Sequence, residues 1–422
     1  MNDNQHIPSG YKSSPLGIIP DDWEVKRLGD IAEITSGTTP SRDNNSFYSN
    51  GTIPWVKTTD LNNGVLNKTE ELVTEAAIEQ TSLKVLPIGT VLVAMYGGLN
   101  QIGRTALLGM DATVNQALSA LVCKQGVFNS YVLAWLNCKV GDWKRLAASS
   151  RKDPNITGKD VERFPILVPK IEEQQRIVSV LSLWDTAIAK QIALIEQLTL
   201  RKRGLMQQLL TGKKRLKGFE GEWKEVRLGD VGAAYSGLIN KNKDDFENGN
   251  ALFITYMNVF SNGKINTNNL GQVRILPSEK QEKVQYGDIF FTVSSETPDE
   301  VGMASVLLNE IQNTYLNSFC FGYRLNDFKT IIPIYASYFF RGNDFRKEMF
   351  KIAQGSTRFN ISKTEVLSMI ITIPSIEEQN AIASVLVNAD KEIEIQKQKL
   401  AALQEQKKGL MQVLLTGKKR IK

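Results

Sequence analysis

The chain has 422 residues, of which 42% are hydrophobic and 23% charged, and its formal net charge is +6 at pH 7. This length and apolar content predict two or three domains with substantial cores, and the mild basic excess permits nucleic-acid binding without requiring it. The single histidine, His6, excludes Ser-His-Asp and Cys-His catalysis as well as histidine-based metal sites.

Three isolated cysteines, Cys123, Cys138 and Cys320, lack the CxxC spacing that is typical of a zinc site, and their odd number argues against a disulfide framework. They favour a reducing compartment. The N-terminus has no basic-then-apolar signal pattern, and no apolar run reaches the roughly 18 residues of a membrane span. We therefore expect a soluble, cytoplasmic protein with no membrane partner.

The chain begins with a polar segment that we interpret as a leader. Trp23 then opens the phrase WEVKRLGDIAEITSG, and the related phrase WKEVRLGDVGAAYSG begins at Trp223. This recurrence predicts an internal duplication. The predicted segments are a leader (1–21), a first α/β domain (22–169), a first long helix (170–217), a second α/β domain (218–374) and a second long helix (375–422).

The loops of the two predicted domains differ much more than their framework does. GTIPWVKTTD (51–60) only faintly resembles GNALFITYMN (249–258), and YGGLNQIGR (96–104) has no close copy. Divergent loops on a duplicated frame are how two related modules would read two different targets.

Both long helices carry a heptad seam. From Ile171 to about Gly212, apolar residues recur in alternating steps of four and three, which predicts a helix that pairs with another helix. About 40 residues at about 1.5 Å each make a rod of roughly 60 Å. The segment after Pro374 repeats this seam, and two such helices related by a twofold axis pair antiparallel. The predicted seam residues are Ile177, Leu181, Trp184, Ile188, Gln191, Ile195 and Leu198 in the first helix and Ile382, Leu386, Ile393, Gln396, Leu400 and Leu403 in the second.

Two polar positions interrupt both seams in the same register. Gln191 and Lys202 in the first helix match Gln396 and Lys407 in the second. We interpret them as residues that define the register, because polar groups in a seam cost stability but discriminate between alignments. The alternative is that they are solvated residues at the flank of the seam.

The predicted fold class is therefore α+β, with two homologous α/β domains joined by two long helices. These helices form an antiparallel coiled coil about an internal pseudo-twofold axis. Such a pair is most often a bare scaffold. Apolar residues beside the seam, Ile192, Ala193, Leu194 and Leu200, instead favour a second face that docks partner subunits.

Polar loop residues are the candidates for DNA contact. Serine, threonine, asparagine, glutamine and tyrosine interleave there with arginine and lysine, which gives the donors and acceptors that groove readout requires. Taken singly, charged loop residues are normally only solvated. The loop candidates are Thr38, Thr39, Ser41, Arg42, Lys57, Thr58, Tyr96, Gln101, Arg104, Arg151, Lys152, Lys241, Lys243, Tyr256 and Arg358.

Basic residues also follow each long helix. Lys213, Lys214 and Arg215 complete the first helix, and the same triplet ends the second at Arg420. Positive charge at a helix C-terminus suits the helix dipole, which is its usual role. The other interpretation, which adds these three residues to the DNA-binding candidates, is contact with phosphate groups.

Motifs of catalysis are missing from the sequence. The TGKK phrase is not a phosphate-binding loop, because Gln207 or Gln412 occupies the position where that loop requires glycine. We also find no GxGxxG after a strand, no metal-ligand spacing and no methyltransferase motif. We therefore expect a chain without catalytic activity, metal or cofactor of its own.

Taken together, these motifs resemble the specificity subunit of a type I restriction-modification system. The resemblance covers almost the whole chain and is strongest in the two helices of the form P-x-I-E-E-Q…GLMQxLLTGKKR. In the first domain, TSGTTPSR (35–42) and IPWVKTTD (53–60) support it. In the second domain, YSGLINKN (235–242) departs from the pattern, so loop roles do not transfer there.

The resemblance implies a DNA-reading subunit in which each domain is a target recognition domain for one half of a bipartite, asymmetric sequence. It implies double-stranded DNA, two methyltransferase subunits and restriction/translocase subunits as partners. Those partners would bind S-adenosylmethionine, ATP and Mg²⁺. Two other interpretations stay open: a duplicated non-catalytic adaptor for protein partners, and a stand-alone DNA-binding regulator.

Overall fold

The computed structural model describes residues 7–148, 154–355 and 357–421. The described chain forms two compact units. The first contains the residues up to Ile192 together with those from Lys399 onward, and the second is Ala193–Gln398. Each unit therefore contains one α/β domain, one end of the first long helix and the opposite end of the second.

The first domain alternates short strands with short helices. Its strands are β1 (Tyr11–Ser14), β2 (Gly17–Pro20), β3 (Glu24–Arg27), β4 (Ala32–Ser36), β5 (Ile53–Val56), β6 (Val65–Leu66), β7 (Glu71–Val73), β8 (Val91–Ala94), β9 (Thr105–Leu108), β10 (Thr113–Val114), β11 (Leu118–Cys123) and β12 (Pro165–Val168). Its helices are α1 (Leu28–Ile31), α2 (Glu75–Gln80), α3 (Asn129–Cys138), α4 (Val140–Ala148) and α5 (Gly158–Arg163), and the long α6 (Ile171–Leu209) follows.

A five-stranded sheet of order β4-β11-β8-β9-β6 forms the centre of the first domain, beside a three-stranded sheet of order β10-β5-β7. Strand β8 is apolar throughout because both of its faces are covered. Val91 and Val93 face the core that contains Trp135 of α3. Leu92 and Ala94 face a second core behind the sheet.

The second domain repeats this plan. Its strands are β13 (Lys224–Arg227), β14 (Gly232–Ser236), β15 (Ala251–Ile254), β16 (Gly271–Val273), β17 (Ile289–Thr292), β18 (Ser294–Ser295), β19 (Ala304–Val306), β20 (Thr314–Leu316), β21 (Cys320–Leu325), β22 (Phe359–Asn360) and β23 (Ile370–Ile373). Its helices are α7 (Leu228–Val231), α8 (Tyr256–Ser261), α9 (Pro333–Phe339), α10 (Asn343–Lys351) and α11 (Lys363–Ser368), and the long α12 (Ile376–Leu414) follows. The sheet orders β14-β21-β17-β19 and β16-β15-β20 match those of the first domain strand for strand, apart from β6.

Part of the predicted leader is folded. Residues 11–20 form the antiparallel hairpin β1–β2, in which Ile19 is buried. The Tyr11 hydroxyl donates a hydrogen bond of 3.2 Å to the carbonyl oxygen of Gly417, just past α12. The hairpin thus contacts the distant C-terminal segment as well as the core of its own domain. His6 lies outside the described residues.

The two long helices, of 39 residues each, pack antiparallel within each unit. In the first unit, Ile177 near the start of α6 shares a core with Leu414 at the end of α12. In the second unit, Leu209 at the end of α6 shares a core with Leu386 near the start of α12. The predicted fold class is thereby confirmed. All of the predicted seam residues are buried or half-buried.

Ion pairs join the helices at the predicted lysine positions. Lys202 lies 2.5 Å from Asp390 in the second unit, and Lys407 pairs with Asp185 in the first. Asp185 and Asp390 occupy equivalent positions in α6 and α12, so each helix supplies one lysine and one aspartate. These pairs favour the register-defining role of the two lysines, which stays a prediction.

Helix α6 also has the length and apolar composition of a membrane-spanning helix, alone among the described helices. One such helix is a weak sign of membrane insertion, because a helix of a soluble protein can pass the same test. Here the apolar seam of α6 packs on α12, and charged side chains such as Lys202 and Arg201 pair with residues of α12.

Candidate nucleic-acid interface

In each domain, three loops meet at the C-terminal end of the central strand: the loop that follows the strand itself, the loop before the neighbouring strand, and the loop before the last short helix. In the first domain, the N–H of Met95 donates to the carbonyl oxygen of Ala117 at 2.8 Å, and the Met95 carbonyl accepts from the N–H of Ile156 at 3.0 Å. In the second domain, Val293 makes the same two bonds, with Phe319 and Ile361, at 3.0 Å each. The shared framework therefore gathers equivalent loops at one edge of each sheet.

An asparagine shapes the central loop of each edge. The side chain of Asn115 accepts a hydrogen bond from the N–H of Ala117, and that of Asn317 accepts one from the N–H of Phe319. These turns expose Gln116 and Ser318 at corresponding positions. Sequence reasoning missed both loops, although the recurring Asn in VNQAL and LNSFC was a usable signal.

Several predicted residues come together at the edge of the first domain. The Thr39 hydroxyl bonds to the amide oxygen of Gln116. A Cβ atom built on Gly97 would lie 2.8 Å from Cβ of Gln101 and 3.9 Å from Oγ1 of Thr58, which places loop 96–104 against Thr58. Tyr96 is exposed in the same loop. The residues that we call the first edge are Thr39, Thr58, Tyr96, Gln101 and Gln116.

Lys57 and Arg42 belong to a charge network inside the first domain. The ammonium group of Lys57 lies 2.6 Å from Glu71 and 3.1 Å from Glu70, and its side chain is largely buried. Arg42 pairs with Glu71 at 2.7 Å and lies over the rings of Tyr48 and Trp55. Burial raises the pKa of the Glu71 carboxyl, but hydrogen bonds from Lys57 and Arg42 outweigh burial and lower it overall.

The network gives Lys57 a role inside the domain, where Glu70 and Glu71 neutralise its charge, and the predicted DNA contact of Lys57 stays a prediction. Arg42 keeps half of its side chain exposed, so one face of its guanidinium is accessible. Thr38 is also held within the domain, since its hydroxyl bonds to that of Ser82 at 2.7 Å. Ser41 is exposed in the loop next to Arg42.

Arg104 positions the loop that carries Gln101. Its guanidinium donates to the amide oxygen of Gln101 at 2.9 Å and to the carbonyl oxygen of Leu61. The structure thus gives Arg104 a supporting role, and its direct contact with a base stays a prediction. Arg151 and Lys152, the other basic candidates of this domain, lie outside the described residues.

The edge of the second domain has a different character. The Tyr256 hydroxyl donates to the carbonyl oxygen of Ser294 at 3.0 Å. Arg358 is exposed and directly precedes Phe359, which pairs with Ser295 in the two-stranded sheet of β18 and β22. Met257 and Phe319 are more than half exposed beside them. We call Tyr256, Met257, Ser318, Phe319 and Arg358 the second edge.

The two lysines predicted in this domain differ in their surroundings. The side chain of Lys241 is only 3% exposed, and its ammonium lies 2.5 Å from Glu279 and 2.6 Å from the carbonyl oxygen of Arg274. Its assignment as a DNA contact is thus corrected, because it holds a loop of its own domain. Lys243 is exposed.

The arginine after each long helix closes a unit. Arg215 donates to both carboxylate oxygens of Glu378, each at 2.6 Å, and Trp223 donates to the same group at 3.2 Å. This pairing gives Arg215 a structural role, and its predicted contact with phosphate stays a prediction. Lys213 and Lys214 are exposed and stay candidates for that role.

The glutamine of the repeated IEEQ phrase also has a structural role. Gln174 accepts a hydrogen bond from the N–H of Phe128 at 2.8 Å and donates to the carbonyl oxygen of Pro169 at 2.8 Å. Gln379 makes the equivalent bonds in the second unit. Both side chains are fully buried, which explains why this phrase recurs more faithfully than the loops do.

The described residues contain no group of three or more His, Cys, Asp or Glu side chains placed to hold a metal ion. Burial raises the pKa of the Cys320 thiol to about 12 and that of Cys123 to about 11. Since the thiolate is the reactive form, neither of these cysteines is activated as a nucleophile.

A family model described as the type I restriction modification DNA specificity domain matches residues 20–199 and 220–405. The chain belongs to this family. Both repeats match the same domain, so the duplication and the family resemblance inferred from the sequence are confirmed. Recognition of DNA sequence within a type I restriction-modification system is the function that this family carries.

Several specificity subunits are similar to this chain. The EcoR124I/EcoR124II specificity subunit of Escherichia coli is 30% identical over 178 residues, which are 42% of this chain and 44% of that protein. The MjaVIII specificity subunit of Methanocaldococcus jannaschii is 25% identical over 428 residues, covering 96% of this chain and 94% of that protein. The MjaIX specificity subunit of the same organism is 27% identical over 307 residues, covering 69% of this chain and 70% of its own.

Solved structures share the fold. A chain from a study of complex assembly and conformational transition in a type I restriction-modification system superposes with a TM-score of 0.65 at 18% identity, covering 94% of this chain and 99% of its own. The HsdS subunit of Thermoanaerobacter tengcongensis gives a TM-score of 0.52 at 19% identity, covering 94% and 98%. At these identities the similarity establishes the fold alone.

Proposed function

We propose that each α/β domain reads one half of a bipartite, asymmetric DNA sequence, and that the helix pair spaces the two halves. The observation that carries the proposal is one framework with two different edges. The first edge presents hydroxyl and amide groups, which hydrogen-bond the edges of bases. The second edge adds Phe319 and Met257, and apolar side chains of this kind contact the methyl group of thymine. Two half-sites of different sequence are therefore expected.

Methyltransferase subunits dock on the helix pair in this proposal. Leu183, Leu200 and Ile395 lie outside the seam and are 68%, 61% and 58% exposed. Large apolar side chains that stay exposed on a paired helix mark a surface for another protein. The predicted second face at Ile192 and Leu194 is also exposed, which supports the same assignment.

The chain has no catalytic activity of its own in this proposal. Two methyltransferase subunits bind S-adenosylmethionine and methylate adenine, and restriction/translocase subunits use ATP and Mg²⁺ to cleave unmodified DNA. The assembly acts on DNA in the cytoplasm. What this chain adds is the choice of sequence, as membership of the DNA specificity family supports.

Sequencing of modified bases in a host with and without the gene tests the proposal. We expect loss of one split adenine motif when the gene is removed. Exchanging Trp23–Pro165 for the matching domain of a relative should change one half of that motif and leave the other half intact. A motif that changes in both halves, or in neither, would refute the separate reading by two domains. Loss of no motif would favour the adaptor.

A further inference from the structure

The two units differ where the α/β domain meets the helix pair. In the second unit, the Tyr338 hydroxyl of α9 donates to Asp390 of α12 at 2.6 Å. The ammonium group of Lys264 lies 3.2 Å from the same carboxylate and 4.5 Å from the centre of the Tyr338 ring. An aromatic ring and a cation together fill this junction.

The surroundings of Asp390 show how well these groups suit the carboxylate. Burial alone raises the pKa of the Asp390 carboxyl, but hydrogen bonds from Lys202 and Tyr338, with the charge of Lys264, outweigh burial and lower the pKa. The junction therefore stabilises the charged form of the aspartate.

In the first unit, the equivalent positions carry small side chains. Val65 pairs with Leu107 in parallel, as Lys264 pairs with Val306, so Val65 takes the place of Lys264. Ala134 stands six residues after Phe128, whose N–H bonds to Gln174. Tyr338 stands six residues after Ile332, whose N–H bonds to Gln379. Ala134 thus takes the place of Tyr338.

The small residues leave a groove of about 350 Å³ in the first unit. Val65, Leu107 and Ala134 line its apolar part, and Asp185 of α6 lies at one side. Val65 is 50% exposed and the Asp185 side chain 60% exposed. Among the described residues, Lys407 is the only ion-pair partner of Asp185, whereas Asp390 pairs with Lys202 and Lys264 and also accepts a hydrogen bond from Tyr338.

We propose that this groove, defined by Val65, Leu107, Ala134 and Asp185, receives an aromatic side chain and a basic side chain of a methyltransferase subunit. The ring packs on Val65 and Ala134, and the cation pairs with Asp185. The second unit indicates this chemistry, because its own tyrosine and lysine occupy the equivalent space. The lining of Val65, Leu107 and Ala134 is apolar and suits a protein side chain, so a protein is the occupant that we propose.

The proposal rests on the proposed function, in which methyltransferase subunits dock on the helix pair, and it adds an asymmetry. The first unit offers an open groove and the second a filled one. The two methyltransferase copies are therefore held unequally, with the tighter copy at the first unit.

Titration of the full-length chain with its methyltransferase, followed by native mass spectrometry, tests this asymmetry. The wild type should bind two copies in unequal steps. The double substitution V65K/A134Y, which copies the second unit, should weaken the tighter step at least about tenfold and leave the weaker step unchanged. Asp185→Asn, which also removes the ion pair with Lys407, should weaken the same binding step about tenfold, as removal of a charge-assisted hydrogen bond predicts.

Asp390→Asn is the matched control, because it removes the equivalent carboxylate where the groove is already filled, and the tighter step should not change. The groove would be ruled out as a docking site if the wild type bound both methyltransferase copies with equal affinity. It would also be ruled out if V65K/A134Y and Asp185→Asn both bound the methyltransferase as the wild type does. A wild-type chain that binds no methyltransferase would instead overturn the proposed function itself.

Discussion

The Arg420 guanidinium donates hydrogen bonds to both carboxylate oxygens of Glu173, at 3.0 and 2.6 Å, although 247 residues separate them in the chain. Trp23 donates to the same carboxylate at 3.1 Å, and Asp22 accepts two further bonds from Arg420. Arg215 and Glu378 repeat the arrangement in the second unit. Each unit is therefore closed by residues that come from both repeats of the sequence.

Replacing Arg420 by alanine should destabilise the first unit by about 2–3 kcal/mol, because it leaves the buried carboxylate of Glu173 without its cationic partner. Chemical denaturation with a probe in each unit measures the effect. Arg420→Lys should recover only part of the loss, since lysine cannot make the two parallel bonds. Lys419→Ala, an exposed neighbour, is the control. An Arg420→Ala chain as stable as the wild type would contradict the role given to this pair.

Asp390 should make the stability of the second unit depend on pH. Hydrogen bonds and charges from its neighbours outweigh burial and hold its folded pKa below the ordinary value of 3.8. A carboxyl with a lowered folded pKa stabilises the protein above its unfolded pKa, and this contribution is lost as the pH falls through the folded pKa. The Asp390→Asn variant should therefore have a lower free energy of unfolding than the wild type at neutral pH. As the pH falls below about 4, its free energy of unfolding should decrease less than that of the wild type. If the free energy of unfolding changed with pH by the same amount in both proteins across this range, the stabilising role of the Asp390 carboxylate would be ruled out.

Arg358 and Arg104 should respond differently to substitution by alanine. Arg358 is exposed at the second edge, so Arg358→Ala should relax discrimination at one half-site by about 1–3 kcal/mol without changing the melting temperature. Arg104→Ala should lower stability, because Arg104 holds Leu61 and Gln101. Competition with DNA that carries single base changes, using the assembled complex, measures discrimination. Unchanged discrimination after Arg358→Ala would exclude this residue from base reading.

Lys213 and Lys214 should contribute affinity without specificity. Changing both to alanine should weaken binding to all DNA sequences alike and reduce the slope of log K against log salt by about 0.9 for each phosphate that is no longer neutralised. Lys347→Ala is a suitable control, since that lysine is exposed and paired with Asp344 on its own helix. The measurement is the slope of log K against log salt, on both specific and random DNA. A slope equal to that of the wild type would mean that these lysines do not contact phosphate groups and only complete the helix.

Lengthening the helix should lengthen the spacer between the half-sites. Four residues inserted after Leu198 add about 6 Å of helix and keep the seam nearly in phase. At about 3.4 Å per base pair, the modified motif should gain one or two base pairs of spacer. Inserting two residues turns the seam by about 200° and should prevent assembly. Base-modification sequencing of the four-residue variant is the measurement, and an unchanged spacer in an assembled variant would show that something else measures the distance.

The regular part of the fold was predictable because its causes are local and repeated. Heptad spacing in the two long helices predicts a paired helix, and the matching positions of Lys202 and Lys407 predict its register. The structure adds the partners of these lysines, Asp390 and Asp185. Those partners lie on the other helix, and the lysine positions alone did not identify them.

The basic residues show why much of the site could not be predicted. A sequence reveals that Lys241 and Arg215 are charged, but not that Glu279 and Glu378 neutralise them inside the protein. Distant parts of the chain decide whether a cation is available to DNA. Asn115 and Asn317 were missed for another reason. Each lies in a short loop without a sequence motif of its own, and their shared role is recognised only when the two repeats are aligned.

The discontinuity of the first unit has a consequence for synthesis. Glu173 leaves the ribosome well before Arg420, and 247 residues at about 5–20 per second correspond to roughly 12–50 s. The second unit, Ala193–Gln398, is complete before the last part of α12 is made. The domain translated first is thus the last to complete its fold, and the Glu173 carboxylate lacks its arginine partner throughout that interval. A message truncated shortly before the Arg420 codon would yield a chain with one finished half and one half open to proteases.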